Sequence, residues 1–222
     1  MSSAIKKIKV PQNLTQLAYN SIKAYILRED IDEKTRLTED TLSSQLGISK
    51  SPVREALNSL QTEGLIRIEP RRGAFLRGFS LSEVKDLYDL REVMEVYAVG
   101  AAAITPELIE GLRQSIRRSR TLQKANDRFG HIEEDVNFHG LIAAATGNVE
   151  LCHLLSNLQN QIWLCRRLSC NLSSSTASSA HSAILEALEE GDREGAQGAM
   201  KNHITTIRKR LIAQLENGKS SS

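Results

Sequence analysis

Apolar positions recur along almost all of this 222-residue chain at the three- and four-residue spacing of amphipathic helices, with one short interruption in which they alternate instead. Over residues 14–27, Leu14, Leu17, Ala18, Ile22, Tyr25 and Ile26 mark one face, and Glu29-Asp30 breaks the pattern. Thr38 precedes a short helix carrying Leu42 and Leu46, and Gly47 ends it. Ser49 is placed to cap a third helix running through Val53, Ala56, Leu57 and Leu60 to Gly64. The alternation follows: Leu65-Ile66-Arg67-Ile68, a turn at Glu69-Pro70-Arg71-Arg72-Gly73, and a returning Ala74-Phe75-Leu76 predict a hairpin. Two short helices meeting at a glycine turn, then a hairpin, predict a winged helix-turn-helix of three helices plus a wing over residues 10–78.

Beyond the wing the pattern is wholly helical. A boundary falls at residues 78–82, where Ser80 and Glu83 have the spacing of a capping box. One helix is predicted over 81–103. Thr105-Pro106 then supplies an N-cap followed by proline at the first helical position, opening a helix over 106–124. Further helices are expected at 131–145, 149–170, 176–190 and 192–215, with the serine-rich 173–179 as a loop and helix start. The first half-dozen residues and 217–222 read as frayed ends. The fold class is therefore mainly α, with an all-α bundle of six or seven helices over residues 79–217.

Composition narrows the setting. A 40% hydrophobic share is ordinary for a globular protein. No stretch reaches the roughly 18 to 20 apolar residues of a membrane span, and no apolar run precedes a small-residue cleavage site near the N-terminus, so the expected location is cytoplasmic, without a membrane partner. Cys152, Cys165 and Cys170 form no CxxC pair and are read as reduced thiols, mostly packing. The net charge of +2 says little about nucleic acid, because affinity follows a basic face rather than a total. Over residues 47–77, however, Lys50, Arg54, Arg67, Arg71, Arg72 and Arg77 oppose Glu55, Glu63 and Glu69, a local net of +3. A second basic run, Arg113, Arg117, Arg118, Arg120, Lys124 and Arg128, reads as a solvated helix face.

A helix whose first turn is small, polar or basic can enter the major groove, about 12 Å wide, and present that turn to base edges. Here the turn offers Ser49, Lys50, Ser51 and Arg54. Arginine can bond guanine bidentately, while hydroxyls and free N–H groups suit phosphate oxygens. Arg71 and Arg72 on the wing tip are placed for the minor groove or the backbone. The same geometry also serves in purely structural helical proteins, and Arg54-Glu55 could be a surface ion pair. The wording of the segment decides between these. Leu46-Gly47-Ile48-Ser49-Lys50-Ser51-Pro52-Val53-Arg54-Glu55-Ala56-Leu57, Glu63-Gly64-Leu65-Ile66 and Arg71-Arg72-Gly73 closely resemble the GntR family's winged helix-turn-helix. The resemblance implies operator contacts by Ser49, Lys50, Ser51, Arg54, Arg72 and Gly73. Two departures stand out: Lys50 where many members carry arginine, losing a bidentate fork, and a 29–36 loop without the glycine and proline often found there.

Asp135 and His139 are four apart on one predicted helix and leave the same face. His181 shares a face with Ile184, Leu185 and Leu188, and His203 shares one with Met200 and Ile207, so both point toward a bundle interior. Three inward imidazoles and a carboxylate suit zinc, nickel or manganese, although a lone histidine is more often a satisfied core residue than a ligand. Asp135-Val136-Asn137-Phe138-His139, Thr146-Gly147-Asn148, His181 to Leu188, Gly191-Asp192 and Met200 to His203 resemble the FCD effector domain of FadR-type GntR regulators. That resemblance implies a divalent metal, zinc foremost, held by Asp135, His139, His181 and His203. Open coordination positions would admit a small carboxylate effector, with Arg91 and Arg166 as candidates for a clamp. Each has a plainer alternative: Arg91 pairing with Glu95, and Arg166 exposed beside Arg167. His131, His153 and Trp163 carry no claim beyond packing or a pocket wall.

The expected function is that of a ligand-responsive DNA-binding transcriptional regulator and not an enzyme, acting as a homodimer on a pseudo-palindromic double-stranded operator. Two competing readings are a metal-dependent hydrolase or oxygenase with a recruitment domain, for which Glu133 or Glu134 would have to act as acid or base, and an architectural DNA binder whose helical domain only dimerises.

Overall fold

A computed structural model of the chain describes residues 14–29, 31–168 and 177–219. Cys170, Asp30 and most of the serine-rich 173–179 segment lie outside the described residues. The chain divides into two units between Arg77 and Gly78.

In the first unit, α1 (Leu14–Arg28), α2 (Glu39–Leu46) and α3 (Lys50–Thr62) precede the strands β1 (Ile66–Glu69) and β2 (Gly73–Leu76). Helices α1 and α3 pack on each other, and α2 packs on α3. Ala18, Ile22 and Ile26 of α1 and Val53, Ala56, Leu57 and Leu60 of α3 are buried, whereas Leu14, Leu17 and Tyr25, read from the sequence as part of the same α1 face, are exposed. Thr38 caps α2 through its side chain, which accepts from the Thr41 N–H. Gly47 ends α2 at φ +66°, a left-handed conformation that a Cβ disfavours. Ser49 occupies the N-cap of α3 but makes no side-chain capping bond, so the cap expected there is positional only. The strands are antiparallel, with Ile66 opposite Leu76 and Glu69 opposite Gly73. Leu37 bridges to Ala74, tying the approach to α2 onto the hairpin. At Gly73, φ is +107° and a Cβ would stand 3.0 Å from the Leu37 carbonyl oxygen, so both backbone and space call for glycine.

The second unit holds α4 (Leu81–Ala101), α5 (Pro106–Lys124), α6 (Arg128–Ala144), α7 (Val149–Leu168), α8 (Ala177–Glu189) and α9 (Arg193–Lys219). The Ser80/Glu83 capping box is formed in full, and Thr105 caps α5 with Pro106 in its first turn. Helix α6 starts three residues earlier than its apolar pattern indicates, because Asp127 caps it by accepting from the Gly130 N–H. Helix α9 runs on to Lys219, past the residues read as frayed from 217. Helix α4 packs against α9, α7 and α6; α8 packs on α9 and α5. Between them lies an apolar core that includes Val84, Tyr88, Leu112, Phe138, Ile142, Leu155, Ile184, Met200 and Leu211. Into this core the sequence also sends a set of polar groups: Arg91, Glu95, Asp135, His139, Gln159, Arg166, His181 and His203 are all buried. Among the described residues no helix is long and apolar enough to cross a membrane.

Candidate functional site

In the first unit, Lys50, Ser51 and Arg54 stand on the exposed side of α3, opposite the face that packs on α1. Lys50 pairs with Asp40. The Ser51 hydroxyl lies 3.3 Å from Glu55. Arg54 presents its fork to Glu39 of α2, with Nε and Nη2 donating at 2.8 and 2.7 Å. Its partner is thus Glu39, not the neighbouring Glu55 that the sequence suggested. On the wing, Arg71 adopts φ +64°, Arg72 pairs with Glu69, and the Arg72 guanidinium lies over the Phe75 ring. Lys50, Arg54 and Arg72 are each exposed and paired with one acid, an arrangement weak enough in water to be exchanged for a phosphate or a base edge.

In the second unit the apolar periodicity of α6, α8 and α9 carries four polar side chains to one point. Asp135 and His139 arrive from α6, His181 from α8 and His203 from α9; their donor atoms all lie within 4.8 Å of one another and all four residues are buried. The Nε2 atoms of His139 and His203 are 3.2 Å apart, those of His181 and His203 3.3 Å apart. Asp135 Oδ1 stands 3.2 Å from His181 Nε2 and 3.8 Å from both His139 Nε2 and His203 Nε2. Four donors bound tetrahedrally at about 2.1 Å would be separated by roughly 3.4 Å, so the set has the size and the chemistry to hold a divalent cation. Phe138 stacks on His181 with ring centroids 4.0 Å apart, which sets that ring's plane.

The electrostatics agree with a cation-binding role for these groups. Burial pushes the His181 and His203 imidazoles below their ordinary range, and for His203 the neighbouring imidazoles push the same way, so both are neutral rings with a lone pair to offer. Asp135 would be raised by burial, but Arg166, His181 and Arg91 outweigh that and hold its carboxyl well below the usual range. Its two oxygens divide the work. Oδ1 faces the imidazoles and has no hydrogen-bond donor among the described residues, while Oδ2 receives Arg166 Nη1 at 2.7 Å and has Arg91 Nη2 at 3.7 Å.

The second rank of groups was only partly visible in the sequence. Arg91 donates through Nε to Glu95 at 2.9 Å, and Glu95 Oε2 lies 2.7 Å from His139 Nδ1. Gln159 of α7 donates to the other Glu95 oxygen at 3.1 Å. Glu95 thus contacts a member of the cluster directly; the signal for it was an acid on the face of α4 that Tyr88, Ala98 and Val99 bury. Arg166 is buried rather than exposed, and its Nε and Nη2 have no partner among the described residues. With Trp163, whose Nε1 is likewise unmatched, it lines a cavity of about 10 Å³ beside Asp135. His203 also borders an open cleft of about 640 Å³ between α8 and α9. Glu134, a candidate acid for hydrolysis, is taken by Arg118 at 2.9 and 3.0 Å and by Asn137 at 2.7 Å. The basic run of α5 is spent on surface pairs as well, Arg113 with Glu189 and Arg117 with Glu110.

Comparison with known proteins places these two units. Residues 14–76 match the model of the bacterial regulatory proteins of the gntR family, and residues 86–206 match the FCD domain. The chain is 26% identical over 208 residues to the HTH-type transcriptional regulator YdhC of Bacillus subtilis (strain 168), covering 91% of this chain and 93% of that protein. It is 27% identical over 200 residues to the HTH-type transcriptional repressor RspR of Escherichia coli (strain K12), covering 88% of each. Among solved structures, a GntR-type transcriptional regulator from Rhodococcus sp. RHA1 superposes with a TM-score of 0.82 at 21% identity, over 90% of this chain and 97% of that one. A winged head and a helical bundle, each matching its own family model, make this chain a DNA-binding transcriptional regulator of the GntR family with an FCD domain.

Proposed function

We propose that the protein is a cytoplasmic, homodimeric regulator whose FCD domain holds a divalent cation, zinc foremost, and through it senses a small carboxylate. The observation that carries this reading is the convergence of Asp135, His139, His181 and His203 within 4.8 Å in the interior of the domain joined to the DNA-binding head. The cation would supply Lewis acidity and an open coordination position; the protein's own groups do the rest. Asp135 would hold it through Oδ1, since Oδ2 accepts from the Arg166 guanidinium. The cleft beside His203 offers an entry path.

Arg166 offers Nε and Nη2, which have no partner among the described residues, with the Trp163 N–H beside them, to a carboxylate; Arg91 stands behind, spent on Glu95. The cavity they line has room for about one water. A bound carboxylate must therefore displace α7 from α4 or α6, and a ligand that needs such a displacement binds the two arrangements unequally, which is the requirement for control. In the head, Arg54 and Lys50 read or grip the major groove, Ser49 and Ser51 meet phosphate, and Arg72 with Gly73 carries the wing to the duplex.

The test is metal analysis of the purified chain, followed by operator binding and thermal shift with small carboxylates, with and without a chelator. We expect about one cation per chain and a carboxylate whose stabilising effect disappears on chelation. A chain that takes up no zinc, nickel or manganese ends the metal part of the reading; an operator affinity indifferent to every carboxylate ends the sensing part.

A further inference from the structure

Glu95 has no assigned task among the residues that face the cation site, yet it is nearly sealed from solvent and ionised. Its side chain is 1% exposed, and the equally buried Arg91 guanidinium 2.9 Å away pairs with it as a carboxylate. Oε1 accepts from Arg91 and Gln159. Oε2 has only His139 Nδ1, at 2.7 Å, and neither atom has a second partner among the described residues. An ionised carboxylate is an acceptor only, so the proton of this contact belongs to Nδ1. That leaves the lone pair of His139 on Nε2, the atom that faces His203 and Asp135. The opposite tautomer would set a lone pair against a carboxylate and an N–H into the centre of the donor cluster.

We propose that Glu95 is a positioning residue for the cation site: it selects the Nδ1–H tautomer of His139, aims Nε2 at the cation, and couples α4 to a site whose four direct donors come from other helices. This rests on the cation reading above. The coupling has a consequence for the helix itself, since the opposite face of α4 carries the exposed Leu90, Val93 and Tyr97. Filling the cluster draws His139 toward the cation, and the Glu95 contact passes that pull to the helix bearing this apolar face.

The experiment uses the full-length chain with ¹⁵N-labelled histidine, zinc titrated against a competing chelator, and the variant Glu95→Gln. In wild type we expect His139 to carry its proton on Nδ1 with and without zinc, and to bind zinc through Nε2. In the variant, a neutral amide that can face Nδ1 with either end, we expect a mixture of His139 tautomers before zinc is added, and zinc affinity about 10- to 100-fold weaker with far-ultraviolet circular dichroism unchanged. Ligation through Nδ1 in wild type overturns the proposal, and so does a folded Glu95→Gln protein with wild-type affinity and a single tautomer. Should the variant fail to fold, the wild-type tautomer decides alone. Wild-type protein that binds no zinc defeats the cation reading and this inference together, whereas zinc-binding Glu95→Gln protein with wild-type affinity and a single tautomer defeats this inference only.

Discussion

The two charged centres of this chain answer to opposite rules at the level of single residues. Arg54 is exposed, with its fork on Glu39 in water; such a pair contributes little to stability, so the residue is free to change partner. We expect Arg54→Ala to leave the unfolding midpoint nearly unchanged and to weaken operator binding by about 1 to 3 kcal/mol with relaxed base preference, measured at fixed salt. Undiminished affinity would remove Arg54 from base contact. Asp135 is the contrary case. It is 2% exposed and answers Arg166 and Arg91 from one oxygen. Removing it strands a buried guanidinium, and breaking a buried pair in this way costs about 3 to 5 kcal/mol. Asp135→Ala should therefore lower cation-free stability by that order in denaturant titration, while His203→Ala, which removes a neutral ring, should cost less in the same buffer. Equal losses would show that the Asp135 contacts are not what holds the site's charges in place.

Among the helices and strands, the turn between α2 and α3 is the most sharply specified. Gly47 at φ +66° donates its N–H back to Ser43 and Ser44, and no neighbour lies within 4 Å of where a Cβ would be. Its requirement is thus conformational rather than steric, and Gly47→Ala should destabilise the head by about 1 kcal/mol, with Gly47→Asn costing less because asparagine visits the left-handed region more readily. A null effect in chemical denaturation would mean that the turn relaxes. Signals of this local kind were legible beforehand: Thr38, Gly47, Ser80 with Glu83, and Thr105-Pro106 all sit at the ends they marked. Asp127 gave no comparable signal, because an aspartate four residues before the predicted start of its helix also reads as loop; its cap is visible only with the Gly130 N–H in place. The four donor residues could be named from their faces and from the family resemblance. The contact of Glu95 with His139 could not, because it joins residues 44 positions apart through the packing of α4 on α6, which no local spacing encodes.

At the scale of the whole molecule, α4 is buried on one face and apolar on the other. Tyr88, Arg91, Glu95, Ala98 and Val99 are inside. Leu90, Val93 and Tyr97, which recur at three and four residues, are 56%, 70% and 55% exposed. Scattered apolar residues on a surface need no explanation, but a helical row of three large ones does. The proposed homodimer would make a second copy of the same chain the partner for this row, since a two-fold protein would match a pseudo-palindromic operator with one head on each half-site. Placing a carboxylate in the middle of the row would set like charges against each other across a two-fold contact and strand them away from water. We expect Val93→Glu to sediment as a monomer at concentrations where wild type is a dimer, to bind a single half-site as wild type does, and to lose affinity for the two-site operator. Because α4 also carries Glu95, a dimer held by this face would change its stability when the cation is removed, whereas Val93→Glu should bind zinc normally. A variant that remains dimeric would move the two-fold contact to another surface, and a wild-type chain that is monomeric at micromolar concentration would leave the exposed row of α4 without the partner argued for it.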